Sequence, residues 1–190
     1  MNITSATFVK GVVGIDKALE LGIPQVAFIG RSNVGKSSTI NAICNNKNLV
    51  KSSSHPGKTQ EINVFLINKN LHLMDLPGYG YAKASFTGRE ALEKLIYGYL
   101  LDSHYQQRKI ILIIDAFVGP TKDDLAMLRA LGEHGKSVVI IANKIDQVKK
   151  SELAIQIEKI QKKVGHHTLI PFSATKKIGI DKLVHEVLSK

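Results

Sequence analysis

Gly30-Arg31-Ser32-Asn33-Val34-Gly35-Lys36-Ser37 follows the pattern Gly-x-x-x-x-Gly-Lys-Ser. Glycines at those positions let a backbone wrap a polyphosphate with its N–H groups pointing inward, and a helix starting there adds partial positive charge. In such a loop the lysine reaches the β- and γ-phosphates and the following hydroxyl ligates Mg2+, roles that fall to Lys36 and Ser37. Val26-Ala27-Phe28-Ile29 precedes the loop as a short apolar run, read as a buried strand. Ser38-Thr39-Ile40-Asn41-Ala42-Ile43 follows it as the start of a helix. Four specified positions in a strand–loop–helix setting separate this from a chance glycine-rich turn.

Three further stretches carry matching chemistry. In Met74-Asp75-Leu76-Pro77-Gly78, Asp75 is placed at a strand end to hold Mg2+ through a water, and the Gly78 amide to report on a γ-phosphate oxygen. In Asn143-Lys144-Ile145-Asp146, the Asp146 carboxylate can accept two hydrogen bonds from the ring N–H and exocyclic amine of guanine. Adenine offers a bare ring nitrogen there, and a site built on such bonds rejects the wrong partner strongly. The Lys144 stem is expected against the base plane and Asn143 to tie this loop to residues 30–37. In Phe172-Ser173-Ala174-Thr175, the Ala174 N–H could meet the guanine carbonyl. Thr59, in Pro56-Gly57-Lys58-Thr59-Gln60, either joins the Mg2+ shell when a γ-phosphate is present or simply starts a strand. The expected cofactors are therefore GTP or GDP and Mg2+, with Lys36, Thr59 and Gly78 nearest the chemistry.

These residues need a frame. Thr7-Phe8-Val9 reads as a short edge strand, and residues 12 to 21 mix apolar and charged side chains before a Gly22-Ile23-Pro24 turn. Residues 45–59 and 76–87 read as long loops, the kind that carry function. Residues 62–67 and 71–74 form a hairpin around Asn68-Lys69-Asn70. Helices are expected over 89–105 (Leu92, Leu95, Ile96 and Tyr99 on one face), 123–134 (Leu125, Leu128 and Leu131 inward), 151–164 (Ser151 as cap; Leu153, Ile157, Ile160 and Val164 apolar) and 180–188. Strands are expected over 110–114, 138–142 and 169–172, the first two continuously apolar and so covered on both faces. Alternation of this kind predicts an α/β fold: three layers, a mostly parallel central sheet with one antiparallel hairpin, and helices on both faces. Ligands then bind beyond the carboxyl ends of the strands, where each motif falls.

Composition narrows the setting. The 190 residues suit one domain, with 1–24 an N-terminal extension and edge strand and 25–190 the core. No apolar run approaches the roughly 20 residues that span a bilayer, and the first residues lack a signal-peptide pattern, so no membrane partner is expected. The one cysteine, Cys44, suits a reducing cytoplasm and reads as a buried structural thiol. Twenty-six Lys and Arg against sixteen Asp and Glu give a net charge of +10, which favours a polyanionic partner. Only Arg31, Arg89, Arg108 and Arg129 are arginines, so lysine carries a diffuse field suited to phosphate backbones. A P-loop kinase, the main rival enzyme, needs more arginines and no Asn-Lys-x-Asp. A nucleotide-gated adaptor for cell-division or membrane proteins is the rival of a different class.

The chain resembles the EngB (YihA/YsxC) family of bacterial ribosome-biogenesis GTPases, in the Era-like group. The resemblance is carried by residues 26–38, by Pro56-Gly57-Lys58-Thr59-Gln60 and above all by Asp75-Leu76-Pro77-Gly78-Tyr79-Gly80-Tyr81-Ala82. It spans the chain from about Ala6 to the last helix. It implies a single GTPase domain, probed by nucleotide contacts from Gly30, Arg31, Ser32, Asn33, Val34, Gly35, Lys36, Ser37, Ser38, Pro56, Gly57, Lys58, Thr59, Asp75, Leu76, Pro77, Gly78, Asn143, Lys144, Asp146, Phe172, Ser173 and Ala174. It also implies action as a monomer on the large ribosomal subunit precursor and its ribosomal RNA, and a need for the protein in cell division and septation. Two departures are Asn143 where the family often has Thr, and Ala116-Phe117-Val118-Gly119 where it often shows a basic residue.

Many small GTPases place a water-orienting glutamine after the Asp-x-x-Gly glycine. This chain has Tyr79, which predicts slow intrinsic turnover. Asn33 occupies the position that ligates K+ in potassium-dependent relatives; here it either does so, supplying charge as an arginine finger would, or braces the loop. Lys58, Lys83 and Arg89 flank the two loops, and Lys149-Lys150, Lys162-Lys163 and Lys176-Lys177 form clusters expected to meet RNA.

Overall fold

The computed structural model describes residues 1–14, 16, 22–50, 61–80, 86–102, 105 and 107–189. Seven strands form one sheet in the order β1-β3-β4-β2-β5-β6-β7: β1 Ala6–Val12, β2 Gln25–Gly30, β3 Ile62–Ile67, β4 Leu71–Asp75, β5 Gln107–Asp115, β6 Val138–Asn143 and β7 Thr168–Pro171. β3 alone runs against the others: it pairs antiparallel with β1 and β4, while β4, β2, β5, β6 and β7 pair parallel. This is the expected architecture with its single reversed strand.

Strand periodicity sorts the core into two faces. Ala27 and Ile29 of β2, with Ile110, Leu112 and Ile114 of β5, join one apolar cluster; Val26 and Phe28, with Ile111 and Ile113, join the other. The first cluster is closed by α2 (Phe86–Tyr97), α3 (Lys122–Glu133) and α4 (Lys150–Val164), the second by α1 (Lys36–Ile43) and α5 (Ile180–Leu188). β2 and β6 are buried along their whole length, which explains the unbroken apolar runs 26–29 and 138–142 inside them.

Four expectations need correcting. The helix read over 89–105 is α2, which gives way at Gly98 to a π-helical turn, Gly98–Asp102. The widened turn lets two consecutive side chains, Tyr99 and Leu100, enter the core, and the Tyr99 hydroxyl donates to Gln25 Oε1 at 2.7 Å. Ser151 does not cap α4, which starts one residue earlier; Lys149 precedes it without a capping side chain. α3 begins at Lys122, capped by Thr121 in a reciprocal bond with Asp124, and Met127 rather than Leu125 is buried beside Leu128 and Leu131. β1 and β5 extend past their apolar stretches because ladder pairing takes in polar residues too: Lys10 opposite Val64, and Gln107 and Lys109 opposite Gln25 and Val26.

Cys44, just past α1, is buried, and burial pushes its thiol from 9.0 up to about 12. Because the unfolded thiol ionises first, this group's contribution to stability is complete below 9.0 and falls as pH rises above it. A thiol-specific reagent at neutral pH is therefore expected to leave the folded protein almost unlabelled and to label one cysteine per chain in guanidinium.

Candidate functional site

β2, β4, β5, β6 and β7 all point their carboxyl ends to one edge of the sheet, and the loops there carry the motifs. After β2 the chain turns through Arg31–Gly35 into α1. Gly35 caps that helix at φ 94° with no side chain to fill the position, and no acid lies in its first turn. The helix N-terminus is thus left open, an arrangement that accepts an anion. Glycine is required at 35 for a second reason: a Cβ there would collide with the Asn143 side-chain amide.

Lys36 and Ser37 open α1, both half-buried. The Lys36 ammonium contacts Asp75, the buried last residue of β4. The residue expected at the phosphates and the one expected at the metal are therefore brought together across the β2–β4 pair. Beyond Asp75 the chain is zipped to the loop after β2. Leu76 N–H donates to Phe28 O at 3.0 Å, Tyr79 N–H to Gly30 O at 3.3 Å, and Ser32 N–H to Tyr79 O at 3.0 Å. Gly78 lies so close that a Cβ would sit 3.0 Å from Ser32 N. Leu76 and Pro77 are buried in this zipper.

The end of β6 braces the same loop from the other side. Asn143, 2% exposed, donates from Nδ2 to Val34 O at 2.9 Å, the tie expected from sequence. Lys144 donates from Nζ to Asn33 O at 2.9 Å and pairs with Asp115 Oδ2 at 2.7 Å. Asn33 itself is exposed, with a left-handed φ of 64°. Asp146 is exposed in the 3-10 turn Ile145–Gln147, and the fully buried Ser173 donates to its Oδ1 at 2.5 Å. Lys176 N–H donates in turn to Ser173 Oγ at 3.0 Å. Ala174 follows in the same turn. Phe172 is wholly in the core, so it can offer a ligand only backbone; its carbonyl accepts from Ile145 N–H at 3.2 Å. Arg31 and Ser32 are half-buried and Ser38 exposed at the same mouth. Pro56, Gly57, Lys58, Thr59, Tyr81, Ala82 and Lys83 lie outside the described residues.

Some participants were not read from sequence. Asp115 ends β5 in register with Asn143, and its Oδ1 accepts from the N–H groups of Phe117 and Val118 at 2.9 and 3.3 Å. Its strand-end position was the available signal. Asp124 on α3 accepts the Tyr79 hydroxyl at 2.7 Å and pairs with Arg31 Nε at 3.3 Å. The capping pair Thr121–Asp124 came into view only with the structure, and so did this second use of Asp124. Ser173 acts as the anchor of Asp146, a role its motif alone did not specify.

A family model described as ferrous iron transport protein B matches residues 24–187. A curated relative from Clostridium perfringens (strain 13 / Type A), "Probable GTP-binding protein EngB", is 40% identical over 187 residues, covering 97% of this chain and 94% of that protein. Among solved structures, a probable GTP-binding protein engB matches with a TM-score of 0.72 at 23% identity, over 86% of this chain and 98% of that one. A structure of Era in complex with MgGDPNP and nucleotides 1506-1542 of 16S ribosomal RNA matches at 0.69 and 26% identity, over 87% of this chain and 55% of that one.

The buried tie at Asn143 is open to direct test. Asn143→Ala leaves the Val34 carbonyl without its donor, and chemical denaturation is expected to show a loss of about 1–3 kcal/mol.

Proposed function

The chain belongs to the domain family whose model matches residues 24–187 and, by its near-full-length relatives, to the EngB family of GTP-binding proteins, and we propose that it is a GTP-hydrolysing switch acting on assembling ribosomal particles. One observation carries the nucleotide assignment. An open helix N-terminus and a base-reading carboxylate are locked to one another through Asn143 and Lys144.

The residues fit guanine nucleotide and Mg2+. In the Arg31–Gly35 loop Ser32 and Val34 spend their N–H groups on Tyr79 O and Arg31 O, so the amides offered to a phosphate are those of Asn33, Gly35 and the first turn of α1; Lys36 lies beside Asp75, ready to exchange that carboxylate for phosphate oxygens. Ser37 and Asp75 are oxygen donors of the hard type Mg2+ prefers. When bound there, Mg2+ would neutralise phosphate charge. Ser173 holds one oxygen of Asp146, fixing the carboxylate for the ring N–H and amine of guanine. Lys144, pinned by Asp115, runs its stem along the mouth. Gly78, packed against Ser32, would offer its amide to a γ-phosphate oxygen. No glutamine follows Gly78; turnover without a partner is slow, and Asn33 is a candidate K+ ligand supplying the missing charge.

The ribosomal reading rests on charge and on kinship. Lys150, Lys163, Lys176 and Lys177 are exposed and, among the described residues, hold no ion pair, whereas Lys149 and Lys162 face Glu152 and Glu158. The Era neighbour was solved with ribosomal RNA. A role in the large-subunit precursor, in the cytoplasm, and in septation follows from family resemblance. Binding to such particles should fall steeply with salt.

Calorimetry is expected to show GTP and GDP bound and ATP not. Asp146→Asn should weaken guanine nucleotide binding by at least ~100-fold and admit xanthine nucleotides, whose ring carbonyl can meet the new amide. Equal affinity for ATP and GTP in the unaltered protein would refute the assignment.

A further inference from the structure

Tyr79 occupies the position after the γ-phosphate-sensing glycine, yet its hydroxyl does not face the nucleotide mouth. The ring is packed in the core cluster that also holds Ile96 and Met127, and it is 8% exposed. Its hydroxyl donates to Asp124 Oδ1 at 2.7 Å. Burial, and then the Asp124 charge, hold that hydroxyl far above the ordinary tyrosine range, so it remains a donor throughout the working pH range.

Asp124 is 1% exposed and uses both oxygens. Oδ2 accepts the Thr121 N–H and hydroxyl, each at 2.8 Å, and faces Arg31 Nε at 3.3 Å. The Arg31 contact is an ion pair without hydrogen-bond alignment. One carboxylate on α3 therefore grips both partners of the zipper beside the site: Arg31 in the phosphate loop and Tyr79 after Gly78. The main chain repeats the junction, with Arg31 and Tyr79 forming a parallel bridge.

We propose that Asp124 is a positioning residue for GTP hydrolysis: through the Tyr79 hydroxyl and Arg31 it fixes the Gly78 peptide against the phosphate loop, so that its amide is pre-aimed at the γ-phosphate. Tyr79 takes no part as a water clamp. The chain replaces a mobile glutamine with a buried anchor, which trades water orientation for a preorganised donor. GDP lacks the group that Gly78 senses, so the anchor matters to GTP and to the rate, and little to GDP. This inference rests on the GTPase reading above.

Tyr79→Phe removes the hydroxyl and keeps the ring. Its single-turnover hydrolysis at saturating GTP is expected to fall about ten- to a hundredfold. Affinity for a non-hydrolysable GTP analogue should fall with it, while GDP affinity stays within about twofold. Asp124→Asn should share that signature. Ile160→Val, a core truncation in α4 away from the site, serves as the stability control and should lower the melting temperature without changing the rate. A rate for Tyr79→Phe or Asp124→Asn equal to that of the unaltered protein overturns the proposal. So does faster hydrolysis, or an equal loss of GDP and GTP-analogue affinity, which would mark general distortion of the loop. Absence of hydrolysis in the unaltered protein would instead remove the GTPase reading itself.

Discussion

A single buried amide sets the relation between the two halves of this site. Asn143 Nδ2 donates to the Val34 carbonyl at 2.9 Å, joining the end of β6 to the loop after β2 across the intervening β5. Both groups are out of water, so neither can be left unpaired without a cost of about 1–3 kcal/mol. The bond therefore fixes the distance between whatever the phosphate loop holds and whatever Asp146 reads. Gly35 belongs to the same constraint: its missing side chain is the space that the Asn143 amide occupies.

Charge is arranged around that tie in two different ways. Inside the fold, cations are consumed locally: Lys36 by Asp75, Lys144 by Asp115, Lys109 by Glu186 and Arg31 by Asp124. Arg108 also turns inward, donating to Val187 O at the end of α5. These pairs are structural or belong to the site, and they contribute nothing to the outward field. Among the described residues, exposed lysines without an ion pair remain on α4 and the Ser173–Ile178 turn, and also at Lys47, Lys69, Lys94, Lys122 and Lys182. On the proposed reading, that division would let the fold hold one small anion with fixed geometry and leave exposed lysines for a large one.

The layered fold was legible because its signals are local. β2 and β6 are buried along their length and contain the unbroken apolar runs 26–29 and 138–142; α4 shows its buried stripe at Ile160 and Val164. The motif residues were legible for a related reason, since each sits at the end of a strand and has a chemistry that its neighbours announce. What escaped was everything fixed by contacts distant in sequence. The π-helical turn at Gly98 carries Tyr99, whose hydroxyl is bonded to Gln25, seventy-four positions away. The second use of Asp124 depends on Tyr79, forty-five positions away, and no window along the chain contains both. Ser151 failed as a cap because a serine one residue inside a helix is indistinguishable, by type alone, from one at its edge.

Asp124 shows how such long-range contacts change the reading of a motif. Judged by position, Tyr79 is a lost glutamine and the site looks defective. Judged by its surroundings, the side chain has left the reaction and become part of the wall. Its backbone still lies between Gly30 O and Ser32 N, so the main chain keeps the position that the side chain gave up. A tyrosine on a buried carboxylate cannot swing to follow a water, but it gives the adjoining peptide a fixed address. If the proposed anchor holds, the labour is divided: the fold places the donor, and further charge would be supplied by a cation at Asn33 or by a macromolecular partner.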